Sequence, residues 1–161
     1  MPEKDEIILA TILCIFIVLA TAYTALSKDS DKITSFFSRY NPKQAEEFAE
    51  IVKETAKMYG IKPSIIAAII VHESGVRPYA ISKGGDYGLM QVRWKIHRKS
   101  YPELKTAKDL LNPRTNVRIG TEIFARYYAQ KKNVRNALIR YNGGSASFAR
   151  RVLKTIKRLE Q

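Results

Sequence analysis

The stretch from Pro63 to Val71 constrains this chain more than any other. Ile65, Ile66, Ala67, Ala68, Ile69, Ile70 and Val71 leave no polar stripe at any helical phase, so a helix here must be covered on every side. Pro63 suits the first position of such a helix and Gly75 its end. The last turn reads His72-Glu73-Ser74-Gly75, which puts a carboxyl at the end of an element that has to be buried. Desolvation and the negative end of the helix dipole both favour the neutral acid there. A carboxyl of that kind donates a proton near neutral pH, which is the first demand of cleaving a glycosidic bond. Taken by itself, Glu73 reads more readily as a solvated helix-terminal acid, and it is the two later motifs that reverse this.

The rest of the chain supplies the helices that can do the covering. Asn41 caps a helix with Pro42 at its first position, and Ala45, Phe48, Ala49, Val52, Ala56 and Tyr59 keep one face apolar until Gly60 stops it. After a loop containing Gly84, Gly85 and Gly88, Asn112-Pro113 starts a helix running to about Gln130. Asn133 to Arg140 makes a shorter one, and Ser145 begins the last. That last helix, to Leu159, sets Phe148, Val152, Ile156 and Leu159 on one face, with Arg150, Arg151, Lys154, Lys157 and Arg158 around the remainder. It is read as docking on the core with a solvated basic side. No strand, internal repeat or low-complexity segment is expected.

Three segments in order, His72-Glu73-Ser74-Gly75, Gly88-Leu89-Met90-Gln91 and Tyr141-Asn142-Gly143-Gly144, resemble the signature of soluble lytic transglycosylases. These are lysozyme-like enzymes that cut the glycan strands of peptidoglycan, and the resemblance covers about residues 42–161. It implies an all-α, lysozyme-like helical domain working without a cofactor. Residue by residue, Glu73 matches the catalytic acid/base and Ser74 the serine that follows it. Met90 and Gln91 match the pair lining the sugar cleft, and Tyr141 and Asn142 match residues beside the catalytic carboxyl, with the Tyr141 hydroxyl orienting Glu73. Where many relatives have Ala before that Tyr, this chain has Arg140. Residue type alone also allows Met90 to be core filler, Tyr141 a core ring with a satisfied hydroxyl, and Trp94 either a wall stacking on sugar or a core anchor.

Asp86 leaves two routes open. The run Asp86-Tyr87-Gly88-Leu89-Met90-Gln91 looks like the segment carrying the second carboxylate in animal-type lysozymes, which would make the chain a muramidase that ends with water. With Glu73 working alone, the substrate's own C6 hydroxyl attacks and a 1,6-anhydro sugar results. The resemblance favours this second route and leaves Asp86 a tentative catalytic residue or a loop residue bonding its own backbone. A third reading, from another class, is a non-catalytic membrane-tethered wall-binding or structural module. No metal is expected, because His72-Glu73 is followed by Val76 where a zinc protease helix needs its second His.

The N-terminus is of a different character. Ile7 to Leu26 is a run of 20 uncharged residues, long enough as a helix to cross the ~30 Å hydrocarbon core of a bilayer. Residues 1–26 therefore read as a single transmembrane anchor, residues 27–41 as a juxtamembrane stalk and residues 42–161 as the catalytic domain. A cleaved signal peptide is the competitor, since Ala20-Thr21-Ala22 offers small residues, but Glu3, Asp5 and Glu6 oppose Lys4 where a positive start is wanted. Phe36, Phe37 and Tyr40 in the stalk sit either at headgroup level or against the domain. Cys14, the only cysteine, lies within the apolar run, so no intramolecular disulfide can form. Lys28, Lys32 and Arg39 after the span against Lys4 before it point the domain to the cytoplasm by the positive-inside rule. The implied substrate points the other way, to the cell-wall side of the inner membrane, a phage virion membrane or secretion after cleavage being the alternatives.

Residues 42–161 hold 24 basic and 10 acidic residues, a net charge of about +14. So basic a surface seeks polyanions. Peptidoglycan and the membrane are the expected partners, and no nucleic-acid-binding motif is visible to make nucleic acid a third. If Ile7 to Leu26 is retained, the protein partitions with membranes and resists extraction by salt or alkali, because an apolar span is not held by charge. A mature soluble form beginning near Tyr23 contradicts this.

Overall fold

The computed structural model describes residues 4–161, with the side chains of 4–7, 10 and 20–31 in the first helix outside the described set. The central element is α3 (Pro63–Ser74), in which every residue from Ile65 to Ile70 is buried. Its last N–H bond is closed by Gly75, at φ 60°, donating to the Val71 carbonyl. Around it pack the end of α1 (Lys4–Ser38), α2 (Ala45–Tyr59) and α7 (Ala146–Leu159). α5 (Pro113–Lys131) and α6 (Val134–Tyr141) complete the helical body. The starts at Asn112, Asn133 and Ser145 are side-chain caps, accepting from the N–H groups of Thr115, Asn136 and Phe148.

α2 begins three residues later than its sequence signal. The Asn41 amide is drawn away from capping: it donates to the Val76 carbonyl at 3.2 Å and to Gln44 Oε1 at 3.3 Å, tying the entry of α2 to the exit of α3. Val76 takes φ 60°, a costly conformation for a β-branched residue, and is fully buried.

α1 runs unbroken through the expected stalk as far as Ser38. Ile33 and Phe37 join the core, so this segment is part of the packed body as well as a connection. Among the described residues no helix is long and apolar enough to cross a membrane, so the expected transmembrane helix is not found among them. The run Ile7 to Leu26 falls partly on residues whose side chains lie outside the described set. The part that is described is all exposed, Ile8, Leu9, Ile12, Leu13 and Ile15 to Leu19 included.

The chain also contains a two-stranded antiparallel hairpin that its residue pattern hides. β1 (Asp86–Tyr87) pairs with β2 (Val92–Arg93) in the register Asp86 to Arg93 and Tyr87 to Val92. Strands of two residues are too short to show a period-2 alternation. A short helix, α4 (Trp94–His97), follows directly. Val92, Tyr101, Leu110, Ile119 and Ile123 form a second, smaller core beneath this lobe. α5 joins the two cores, giving Val117 and Phe124 to one and Ile119 and Ile123 to the other.

Asn116, fully buried on α5, fastens the hairpin to the helix. Its Oδ1 accepts the Met90 N–H at 2.7 Å, and its Nδ2 donates to the carbonyls of Tyr87 at 2.7 Å and Leu110 at 2.8 Å. Gly88 makes room for this, since a Cβ there would overlap the Asn116 amide and lie 2.5 Å from the Leu110 carbonyl oxygen. Removing the amide leaves a buried N–H and two carbonyls unpaired, each at a penalty of about 1–3 kcal/mol. Asn116→Ala is therefore expected to lower unfolding stability by more than about 2 kcal/mol in urea denaturation. A loss below about 0.5 kcal/mol contradicts that role for the amide.

Candidate active site

Glu73 projects from the last turn of α3 into a cleft of about 440 Å³ between the two cores. Asp86, Gln91 and Val92 come to it from the hairpin, Ile123 and Tyr127 from α5, and Arg140, Tyr141, Asn142 and Gly143 from the end of α6. Burial pushes the Glu73 carboxyl up to about 7; the hydrogen bond from Asn142 opposes this and the charge of Asp86 adds to it. A half-buried carboxyl with that pKa is partly protonated at neutral pH and can serve first as acid and then as base.

Asn142 donates from Nδ2 to Glu73 Oε1 at 3.0 Å. This is the contact expected of the neighbouring tyrosine. The Tyr141 hydroxyl instead donates to the Met90 carbonyl at 2.8 Å, so the ring positions the Met90-Gln91 backbone and not the carboxyl itself. Desolvation holds that phenol far above its usual range, which keeps it a donor. Gly120 on α5 permits the arrangement, because a Cβ there would lie 2.7 Å from Met90 Cβ and 3.1 Å from the Tyr141 oxygen.

Asp86 is engaged on both oxygens. Arg93 Nε donates to Oδ1 at 2.6 Å, Arg93 Nη2 to Oδ2 at 3.0 Å, and the Ser82 hydroxyl to Oδ2 at 2.7 Å. Its partial burial raises the pKa, but the Arg93 and Ser82 bonds outweigh it and hold the group below its ordinary value. Asp86 is thus an ionised carboxylate with three of its roughly four acceptor sites occupied.

The structure brings Glu73, Asp86, Gln91, Tyr141 and Asn142 to one cleft and leaves two expected residues outside it. The Ser74 hydroxyl turns back to the Ile70 carbonyl at 3.1 Å in the core, a bond open to any helical serine. Met90 is fully buried, with its sulfur 3.6 Å from the Thr121 hydroxyl. Gln91 reaches the cleft through a φ of 49°, its amide held by the carbonyls of Ala80 and Gly88. Trp94 packs on the smaller core and His72 bonds the Thr155 hydroxyl at 2.9 Å.

Arg93, His97, Ile123 and Tyr127 also line the cleft and Asn116 and Gly120 support it, none of them belonging to a motif in the sequence. Arg93 alone left a trace, as a cation seven residues from Asp86 across a glycine-containing loop. A helical asparagine and a helical glycine carry no such mark.

A mainly helical body in two lobes, with a raised carboxyl at the end of a helix buried through its middle and facing an open cleft, defines a lysozyme-like domain. Residues 50–160 match the transglycosylase SLT domain, and the chain belongs to that family. Membrane-bound lytic murein transglycosylase C of Yersinia pestis is 33% identical over 122 residues, covering 67% of this chain and 34% of the relative. The protein of that name from Yersinia pseudotuberculosis is likewise 33% identical over 122 residues, with the same 67% and 34% covered. The chain therefore spans about a third of the length of these relatives. Among solved structures, an inactive mutant of lytic transglycosylase Slt from Pseudomonas aeruginosa shares the fold. It aligns with a TM-score of 0.54 at 20% identity over 76% of this chain and 24% of that one.

The raised carboxyl ties stability to pH. Folded Glu73 holds its proton up to about 7 whereas the group ordinarily ionises near 4.5, so its favourable contribution is complete below 4.5 and is lost as pH rises to 7. Glu73→Gln has no proton to lose. Its stability relative to wild type is expected to climb between pH 4.5 and 7 and level off above, by up to about 3 kcal/mol. Thermal unfolding across pH measures this, and a pH-independent difference contradicts the raised pKa.

Proposed function

We propose that this chain is a peptidoglycan lytic transglycosylase, held at the inner membrane by its N-terminal helix with the domain on the cell-wall side, and that Glu73 is its acid/base. The observation that carries the reading is the pairing of a carboxyl raised to about 7 with a neighbouring carboxylate whose oxygens are already taken by Arg93 and Ser82. The family and its murein-cleaving relatives support the substrate. The exposure of the apolar side chains described on α1 from Ile8 to Leu19 supports the anchor.

Neutral Glu73 donates its proton to the glycosidic oxygen between N-acetylmuramic acid and N-acetylglucosamine, and the bond from that oxygen to C1 breaks. The Glu73 carboxylate then takes the proton of the C6 hydroxyl on the same muramic sugar, whose oxygen closes on C1. The acid is regenerated, a 1,6-anhydro end forms and no water is consumed. Holding the sugar for this intramolecular attack takes over the part of a second carboxylate. Asn142 keeps the Glu73 oxygen aimed through both proton transfers. Asp86 acts on Glu73 through its charge, and with its lone pairs donated to by Arg93 and Ser82 it is a poor nucleophile.

Digestion of peptidoglycan is expected to give muropeptides one water lighter than hydrolysis products by mass spectrometry. Glu73→Gln is expected to lose at least about 100-fold in rate while still binding strands, and Asp86→Asn less than about tenfold. Reducing N-acetylmuramic acid ends, together with inactivity of Asp86→Asn, would make the chain a muramidase. Binding without release of fragments by the wild type would make it a wall-binding module.

A further inference from the structure

Arg140 has no part in the chemistry above and yet stands in the cleft. It precedes Tyr141 in the last turn of α6, and its guanidinium carbon lies 5.7 Å from the centroid of the Tyr127 ring. With Gly143 it lines the catalytic cleft, and the same two residues line a second hollow of about 410 Å³ together with Lys131, Asn136, Ile139 and Gly144. Arg140 is therefore on the ridge between the two hollows. The cleft's other arginine, Arg93, is committed to Asp86. Among the described residues no carboxylate forms an ion pair with Arg140. A guanidinium already stacked on a ring loses less freedom on gripping a carboxylate than an unsupported one.

The sugar cut at Glu73 is the one that carries a peptide through its lactyl group, so that peptide must leave the cleft beside the reacting bond. Asn142, two residues from Arg140, holds the reacting carboxyl. Resting on the peptidoglycan reading, we propose that Arg140 is a specificity residue that receives a carboxylate of the stem peptide. The hollow toward Lys131 takes the peptide, and strands that bear stems are bound in preference to bare ones. An ordinary solvated surface arginine, or a general attraction of the basic domain for polyanions, makes no such distinction.

The test is binding by the full-length protein in detergent, with Glu73→Gln compared with Glu73→Gln carrying Arg140→Ala. Three ligands are used: glycan oligomers with stem peptides, the same oligomers with the stem carboxylates amidated, and oligomers stripped of stems. The added Arg140→Ala is expected to weaken binding of the first by about 3- to 10-fold, to a degree that fades with added salt, and to leave the other two unchanged. Arg140→Lys is expected to keep part of the preference. Equal weakening of all three, equal weakening of both stem-bearing ligands, or no weakening of any overturns the proposal. If wild type releases no fragments from stem-bearing or bare strands, the catalytic reading fails, and the binding comparison still decides the role of Arg140.

Discussion

The larger core is arranged around a helix whose central six residues are shut away from water. With Ile65 to Ile70 buried at every phase, α3 has to be enclosed by α1, α2 and α7, and that enclosure is the larger core. The same burial reaches the last turn, where Glu73 is desolvated by the packing that stabilises the helix. Scaffold and raised carboxyl are thus one element. A carboxyl on an amphipathic surface helix would have kept its ordinary pKa and been fully ionised at neutral pH.

A proton donor is only half of a site, and the other half depends on a single buried amide. Asn116 joins the hairpin to α5, fixing Met90, and Met90 in turn accepts the Tyr141 hydroxyl. Tyr141 is covalently next to Asn142, which reaches Glu73. Loop, two helices and carboxyl are thereby linked through hydrogen bonds whose buried members would each leave an unpaired group if broken. The hairpin carries Asp86 and Arg93 opposite one another, so the anion that raises the Glu73 pKa is itself held down by its cross-strand partner. Two carboxyls in one cleft are thus driven apart in pKa, Glu73 upward mainly by burial and Asp86 downward by its bonds to Arg93 and Ser82.

How much of this was legible beforehand follows from where each signal resides. Helix starts at Asn112, Asn133 and Ser145 are local side-chain chemistry and could be read directly. The burial of α3 could be read because apolarity at every helical phase has few solutions. Asn142, Gln91 and Asp86 were visible as parts of motifs, but their partners were not. Which hydroxyl or amide reaches Glu73 depends on a pairing 69 residues apart in sequence, and no periodicity encodes it. The same holds for Met90, which its motif assigns to the cleft but which contributes its backbone to the site and its side chain to the core. Gly120 was invisible for a related reason: its use lies in the space it leaves for Met90 and Tyr141.

The central claim is that burial keeps Glu73 partly protonated at neutral pH beside an ionised Asp86. The direct measurement is a titration of the individual side-chain carboxyl carbons by NMR, assigned with Glu73→Gln and Asp86→Asn. The account predicts a Glu73 midpoint near 7, an Asp86 midpoint below its ordinary 3.8, and a lower Glu73 midpoint once the Asp86 charge is removed. A Glu73 midpoint near 4.5, unmoved by Asp86→Asn, would contradict it.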